Sequence, residues 1–259
     1  MAWDPNQYLR FGDERTRPAM DLASRIRVEN PRAVIDLGCG PGNSTQVLRR
    51  MWPNASVTGL DSSPTMIAKA QQAYPGQQWV LADIQQWRPE TPFDIIFSNA
   101  ALQWIPNHRA LIRRLFGHVA AGGALAFQIP SSAFSPVRTL IHEIADDPAW
   151  NSRMGKAKAA FTMEEPGVYY DALAENASSL DIWETEYHHV MDAPSAIVTW
   201  FSSTGLRPFL EALDTDEERQ RFTMMLTEQV TKAYPRQSNG RILFRFRRLF
   251  VVAYPAGTP

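Results

Sequence analysis

Residues 34 to 42 read Val34-Ile35-Asp36-Leu37-Gly38-Cys39-Gly40-Pro41-Gly42, an apolar strand that breaks into a glycine-rich turn. A helical pattern, Ser44–Met51, follows at once, so the segment opens a strand–turn–helix unit whose natural setting is a parallel, helix-covered sheet. The acid at the mouth of the turn narrows what the turn can hold. Turns that cradle a dinucleotide pyrophosphate use helix N-terminal N–H groups and favour anions, so a carboxylate such as Asp36 repels that ligand. A zwitterionic or cationic ligand suits it better.

The alternation continues through the first half. Ala33–Leu37, Ser56–Leu60, Trp79–Ala82, Phe93–Ser98 and Ala124–Ile129 are short β-branched or apolar runs, separated by helical stretches at Ser44–Met51, Pro64–Ala73 and Arg109–Val119. Asn43 and Ser44 are placed to cap the helix after the turn, and Gly122-Gly123 to end the helix after the fourth strand. Residues 131 to 165 are polar, with one helical pattern at Val137–Ala145, and Tyr169–Glu175 leads into an alternating strand, Ile182–Val190. Residues 194 to 234 are helical and Arg241–Tyr254 is a closing strand. The expected architecture is one α/β domain over 1–259: a Rossmann-like, seven-stranded, mostly parallel sheet whose last strand is antiparallel. Helical inserts at about 131–165 and 194–238 are expected to cap the acceptor side. A hydrophobic content of 44% is enough to fill such a core.

The strand ends identify the ligand class. Gly38 and Gly40 let backbone pass close to a bound molecule, where a Cβ would crowd it. Asp61, followed by Ser62, ends the second strand at the distance expected of a ribose-binding acid. Asp83-Ile84 ends the third, with a carboxylate to accept from an adenine N6 and an apolar side chain to cover the ring. Asn99 ends the fourth and brings its backbone beside the remaining portion. Asp36 then accepts from an ammonium, directly or through water. Acids at successive carboxyl-terminal strand ends sit where ligands bind in open α/β sheets. Together they describe a site for S-adenosylmethionine (SAM), with S-adenosylhomocysteine (SAH) as product, in the manner of a class I methyltransferase.

Bulk properties remove other classes. The formal net charge of −1 gives no basis for a nucleic-acid or membrane-surface partner. In a strand, Arg245 and Arg247 share one face while Arg248 points to the other, so with Arg241 they form no single basic stripe and read as sheet-edge charges. The single cysteine, Cys39, rules out an internal disulfide framework and reads as a small residue fitted to the turn. No apolar run approaches the ~20 residues that span a bilayer, no signal-peptide pattern opens the chain, and no His, Asp and Glu grouping has metal-ligand spacing. A cytoplasmic protein without metal or obligate protein partner is expected.

The acceptor is narrowed by resemblance. Trp3-Asp4-Pro5-Asn6-Gln7-Tyr8-Leu9 with Glu14-Arg15-Thr16-Arg17-Pro18, Asp36–Thr45, Asn99–His108, Thr204–Leu210 and Asn239–Ala253 resemble, in order and spacing, the trans-aconitate 2-methyltransferase family. The resemblance covers nearly the whole chain and is weakest across 131–165. It implies transfer of a methyl group from SAM to one carboxylate of trans-aconitate. A carboxylate is ionised at neutral pH, with a reference pKa of about 4, so no general base is expected. Union of carboxylate and sulfonium cancels two charges, which a dry pocket favours. In-line positioning should supply most of the rate.

A tricarboxylate asks for arginine forks. Arg207, in the Thr204–Pro208 segment, is the first candidate. Arg15 and Arg17, just before a Pro18 expected to start a helix, are candidates for the SAM carboxylate or the substrate. Tyr8 and Phe11 fall at i and i+3 of a helical face, as a lid over SAM or a staple to the core. Gln103, Trp104 and His108 follow the fourth strand on the acceptor side; Trp104 is a candidate pocket wall, and His108, His188 and His189 are candidate donors to carboxylates. Competing readings are a methyltransferase for another small anion (a dicarboxylate or malonyl thioester), a SAM-binding protein without turnover, and a nicotinamide dehydrogenase, which Asp36 disfavours.

Overall fold

The computed structural model describes residues 12–131, 135–202 and 204–257, with side chains from residue 16. Its first half alternates α1 (Gly12–Ala23), β1 (Ala33–Leu37), α2 (Asn43–Met51), β2 (Ser56–Asp61), α3 (Pro64–Ala73), β3 (Gln78–Leu81), β4 (Phe93–Asn99), α4 (His108–Phe116) and β5 (Val119–Pro130). Then follow α5 (Pro136–Ala145), α6 (Gly155–Lys158), α7 (Pro166–Leu173), β6 (Ala177–Met191), α8 (Pro194–Ser202), α9 (Arg207–Glu211), α10 (Asp216–Ala233) and β7 (Ile242–Pro255). The seven strands form one sheet in the order β3-β2-β1-β4-β5-β7-β6. Neighbours from β3 through β5 pair in parallel, while β7 is antiparallel to both β5 and β6. This is the mostly parallel sheet with an antiparallel last strand that the sequence predicts.

Side-chain parity gives each sheet face its own core. Ile35, Leu37, Ile96, Leu125, Phe127 and Leu249 pack under α4 and α7. Val34, Phe97, Ala126, Phe250 and Val252 pack against Ala19 and Leu22 of α1 and Val47 and Leu48 of α2. A third core, holding Ile141, Trp150, Trp200, Phe222 and Leu226, joins the helices after β5 to Ile242 and Phe244 at the start of β7.

Three local expectations differ. Pro18 lies buried inside α1 rather than opening it; it removes one helix hydrogen bond while filling space against the sheet. Neither Asn43 nor Ser44 caps α2, because left-handed Gly42 (φ 98°) takes the cap position and Ser44 turns inward. Gly122-Gly123 does not end a helix: α4 stops at Gly117, and the pair lies within β5. A Cβ on Gly123 would stand 2.4 Å from the Asp94 carbonyl oxygen, beside the irregular β4–β5 register at Phe93/Ile95.

Candidate active site

The carboxyl ends of β1, β2 and β4 converge on one cavity of about 600 Å³. Its first end is built by the glycine turn. Gly38 and Cys39 donate N–H to the Leu60 carbonyl at 2.7 and 3.0 Å, which folds the turn over β2. Asp61 then braces two turns at once: Oδ2 accepts from Gly40 N–H at 2.9 Å and Oδ1 from Ser63 N–H at 2.8 Å. Burial pushes its carboxyl above the usual range, against the pull of those N–H groups. Asp83 accepts from Gln85 N–H at 2.8 Å and stands with buried Ile84 on the same wall. Gly38, Gly40, Asp61, Ser62, Asp83, Ile84 and Asn99 all line this cavity. A Cβ built on Gly40 (φ +55°) meets no described atom within 4 Å, so the open side of that residue is a cradle a side chain would fill. Acidic oxygens, a bare backbone edge and an apolar cover fit the ribose, adenine and cationic portions of SAM.

Two members of the turn act differently from expectation. A Cβ on Gly38 (φ +74°) would lie 2.1 Å from Ala101 Cβ, so glycine there answers to packing against the β4 end rather than to a ligand. Asp36 is fully buried beneath the turn and is not part of the cavity wall. Ser44 and Thr45 hydroxyls donate to its Oδ2 at 2.7 and 2.6 Å, tying α2 to β1. Of the two expected modes of reaching an ammonium, directly or through water, burial beneath the turn leaves the second. Burial pushes its carboxyl up to about 6, against the pull of the Thr45 and Ser44 hydroxyls. Burial and the neighbouring Asp36 and Asp61 push the Cys39 thiol up, which makes it unreactive.

The opposite end of the cavity is basic. Arg207 lines it, half-buried, with Nε on Glu211 Oε1 at 2.9 Å one helical turn ahead. Trp104 is a wall, its ring 4.4 Å from that of Phe161 in the segment after β5. Sequence reasoning missed four further arginines on this surface: Arg138, Arg245, Arg247 and Arg248. The last three are not the sheet-edge charges that the sequence suggests, and the reason is where β5 stops. Pairing between β5 and β7 begins at Pro130↔Arg248, with Ser131 N–H donating to the Arg247 carbonyl at 3.0 Å, so residues 243–246 of β7 pair with β6 alone. That two-stranded overhang is a cavity wall. Arg241, paired with Asp192 at 3.4 Å, keeps the edge role. Arg138 follows buried Val137 on α5, and its i+4 neighbour His142 joins it on the cavity.

Other candidates fall elsewhere. His108 is buried: its Nδ1 meets Tyr169 Oη of α7 and its Nε2 the Leu102 carbonyl in the turn after β4 at 2.9 Å, so both ring nitrogens are used within the fold. Its expected role as a donor to substrate is therefore withdrawn. We predict that His108→Leu costs about 2 kcal/mol in chemical denaturation, because it orphans a buried hydroxyl and a carbonyl. Acceptor KM should stay unchanged; a raised KM in the folded variant would return His108 to the site. Arg17 lies outside the cavity lining, exposed, with its guanidinium 5.1 Å from the Tyr187 ring centroid. His188 sits on the surface beside Glu186 at 3.3 Å. His189 is buried among Trp200 and Phe244, pushed down to about 4 by burial and by Arg248 and Arg17. Gln103 is the exception: it lines the cavity, where its Nε2 donates to the Ala100 carbonyl at 2.7 Å and holds the segment after β4. Tyr8, Phe11 and the side chain of Arg15 lie outside the described residues. Among the described residues no group of His, Cys, Asp and Glu has metal-binding geometry, and no helix is long and apolar enough to cross a membrane.

Comparison with known proteins bears on the whole chain. The family described as "Methyltransferase domain" matches residues 34–123. A trans-aconitate 2-methyltransferase of Methylobacterium radiotolerans is 46% identical over 257 residues, 98% of each chain. One from Rhodopseudomonas palustris (strain BisB18) is 45% identical over 252 residues, 97% of this chain and 98% of that one. Among solved structures, coclaurine N-methyltransferase bound to N-methylheliamine and SAH superposes with a TM-score of 0.54 at 15% identity, over 92% of this chain and 71% of that one. That last likeness is one of fold.

Proposed function

Because the chain belongs to the trans-aconitate 2-methyltransferase family, we propose that one cavity holds SAM at its acidic end and trans-aconitate at its arginine end, and that the product is the acid's monomethyl ester. The observation that carries this reading is the charge polarity of a single continuous space. Asp61 and Asp83 line the glycine-turn end, while Arg138, Arg207, Arg245, Arg247 and Arg248 line the other, against Glu186 and Glu211. A cationic cofactor and a polyanionic acceptor are complementary to such a space in one orientation only.

When bound, SAM supplies an activated methyl group. The chain's own residues position and desolvate. In this reading Asp61 and Ser62 take the ribose, Asp83 and Ile84 the adenine, and the backbone of Gly40 and Asn99 the methionine portion. The acceptor carboxylate arrives ionised and asks for no base. Arginine forks hold the spectator carboxylates, leaving the attacking oxygen less strongly bonded and so more nucleophilic. Trp104, Phe161, Phe201 and Phe246 exclude water from the space between. The segments 131–165 and 194–238 act as the acceptor-side cap in this scheme.

The deciding experiment is transfer of label from methyl-labelled SAM to trans-aconitate, with cis-aconitate, isocitrate and citrate in parallel. Rapid labelling of trans-aconitate alone is expected; tight SAH binding with no acid labelled would overturn the reading. Arg207→Ala should raise acceptor KM about tenfold, the worth of one partly exposed charge-assisted contact, and leave the SAH dissociation constant unchanged. Unchanged acceptor kinetics would remove Arg207 from the site.

A further inference from the structure

A row of three polar side chains crosses the sheet at the floor of the cavity. Asn99 of β4 and Gln128 of β5 are register partners, and Gln128 Nε2 donates to Asn99 Oδ1 at 2.7 Å. Arg248 of β7, opposite Pro130, reaches back along the same face, and its Nη1 donates to Gln128 Oε1 at 3.2 Å. Gln128 is wholly buried and Arg248 is 4% exposed, yet Arg248 is part of the cavity wall, as is Asn99. The row joins the basic end of the cavity to the end of β4 beside the glycine turn.

Its polarity is fixed by chemistry. A guanidinium only donates, so Gln128 must turn its carbonyl to Arg248 and its NH2 to Asn99. Asn99 must then accept through Oδ1, and its own NH2 becomes the terminal donor of the row. The arginine thereby sets the orientation of an amide two strands away. The guanidinium is also held from behind, its carbon 4.7 Å from the Phe246 ring centroid. Its field acts on the surroundings: beside it, burial first and then Arg248 itself hold His189 neutral.

We propose that Arg248 is a carboxylate-gripping residue of the acceptor site, with Gln128 as the positioning residue that aims both Arg248 and the Asn99 NH2 at the acceptor. This rests on the carboxylate-acceptor reading above and adds the group that selects for a second anionic end. Arg207 is carried on a cap helix and shares its charge with Glu211. Arg248, by contrast, is carried on the sheet itself, so it fixes the acceptor relative to the strand ends that hold the cofactor.

The test uses Arg248→Met and Gln128→Glu, each checked for an unaltered melting curve with SAH. The second variant keeps volume and strengthens the bond to Arg248, but it neutralises the cation and can no longer donate to Asn99. Trans-aconitate binding to the SAH-loaded protein is measured by calorimetry, beside kcat and KM for methyl transfer. The expected result is at least a thirtyfold loss of trans-aconitate affinity in both variants, with the SAH dissociation constant within threefold of wild type. A merely structural bridge predicts otherwise for Gln128→Glu: with the fold intact, acceptor affinity and KM stay unchanged. Unchanged acceptor affinity in either folded variant, or a parallel loss of SAH binding, overturns the proposal. Should wild type bind trans-aconitate without methylating it, the reaction assignment fails while the Arg248 site stands or falls on the variants' affinities. If wild type neither binds nor methylates it, both are overturned.

Discussion

Asp61→Ala raises the SAH dissociation constant about a thousandfold, a loss of about 4 kcal/mol. The carboxylate does two jobs whose losses add in the complex. Its oxygens hold the Gly40 and Ser63 N–H groups, which fixes the glycine turn against the start of α3. In the proposed reading the same oxygens, with lone pairs to spare, accept from ribose hydroxyls, and bonds to a charged acceptor are worth about 1.5–3 kcal/mol each. Removing the group leaves a loosened turn facing an unpartnered sugar. Calorimetric titration with SAH checks this, and a dissociation constant within a few-fold of wild type would dismiss the ribose role. Asp61→Asn should fall between, since an amide oxygen can satisfy one N–H but its NH2 opposes the other.

The second large effect is on folding. Gly38→Ala is expected to destabilise the protein by about 3–4 kcal/mol, lowering the melting temperature by about 10 °C. Two costs combine. A left-handed backbone at φ +74° disfavours any Cβ by about 1–2 kcal/mol, and the new methyl would sit 2.1 Å from Ala101 Cβ. Ala101→Gly in the same chain should recover the steric part and leave the backbone part, so the double variant must be more stable than Gly38→Ala alone. Gly40→Ala is the contrast. With open space around it, it should lose only about 1 kcal/mol of stability while obstructing SAH. Equal melting temperatures for the Gly38 and Gly40 variants would show that the contact with Ala101 is not the reason for glycine at 38.

Much of the sheet was legible because strands and helices announce themselves locally. Ala33–Leu37 and Pro64–Ala73 fall where alternation, β-branching and a proline at the helix start put them. The acids ending β2 and β3 were legible for the same reason, since strand ends fix their depth in the fold. The direction of Asp36 is readable from parity: it shares a face with Val34 and therefore points under α2, which leaves the water-mediated one of its two expected modes. What could not be read was anything set by the length difference between partners distant in sequence. Arg245, Arg247 and Arg248 become cavity residues only because β7 outruns β5, and nothing near residue 248 records where residue 130 ends. His108 shows the converse, a residue typical of sites that is consumed by a partner, Tyr169, sixty-one positions away.

The overhang of β7 also orders events in time. Its pairing with β5 joins residues 125–130 to 248–253, contacts that close a loop of more than a hundred residues, the kind that forms late because the entropy of closure precedes any gain. A chain emerging from the ribosome has the glycine turn and all the acids of the cofactor end in hand well before β7 exists, and domains can begin to fold in that vectorial order. Three of the arginines at the basic end, Arg245, Arg247 and Arg248, arrive only with the last strand, after Arg138 and Arg207. A nascent chain can therefore form the acid-lined end of the cavity before the arginines of β7 complete the opposite end, so the full contrast of charge across the cavity is a late property of the maturing molecule.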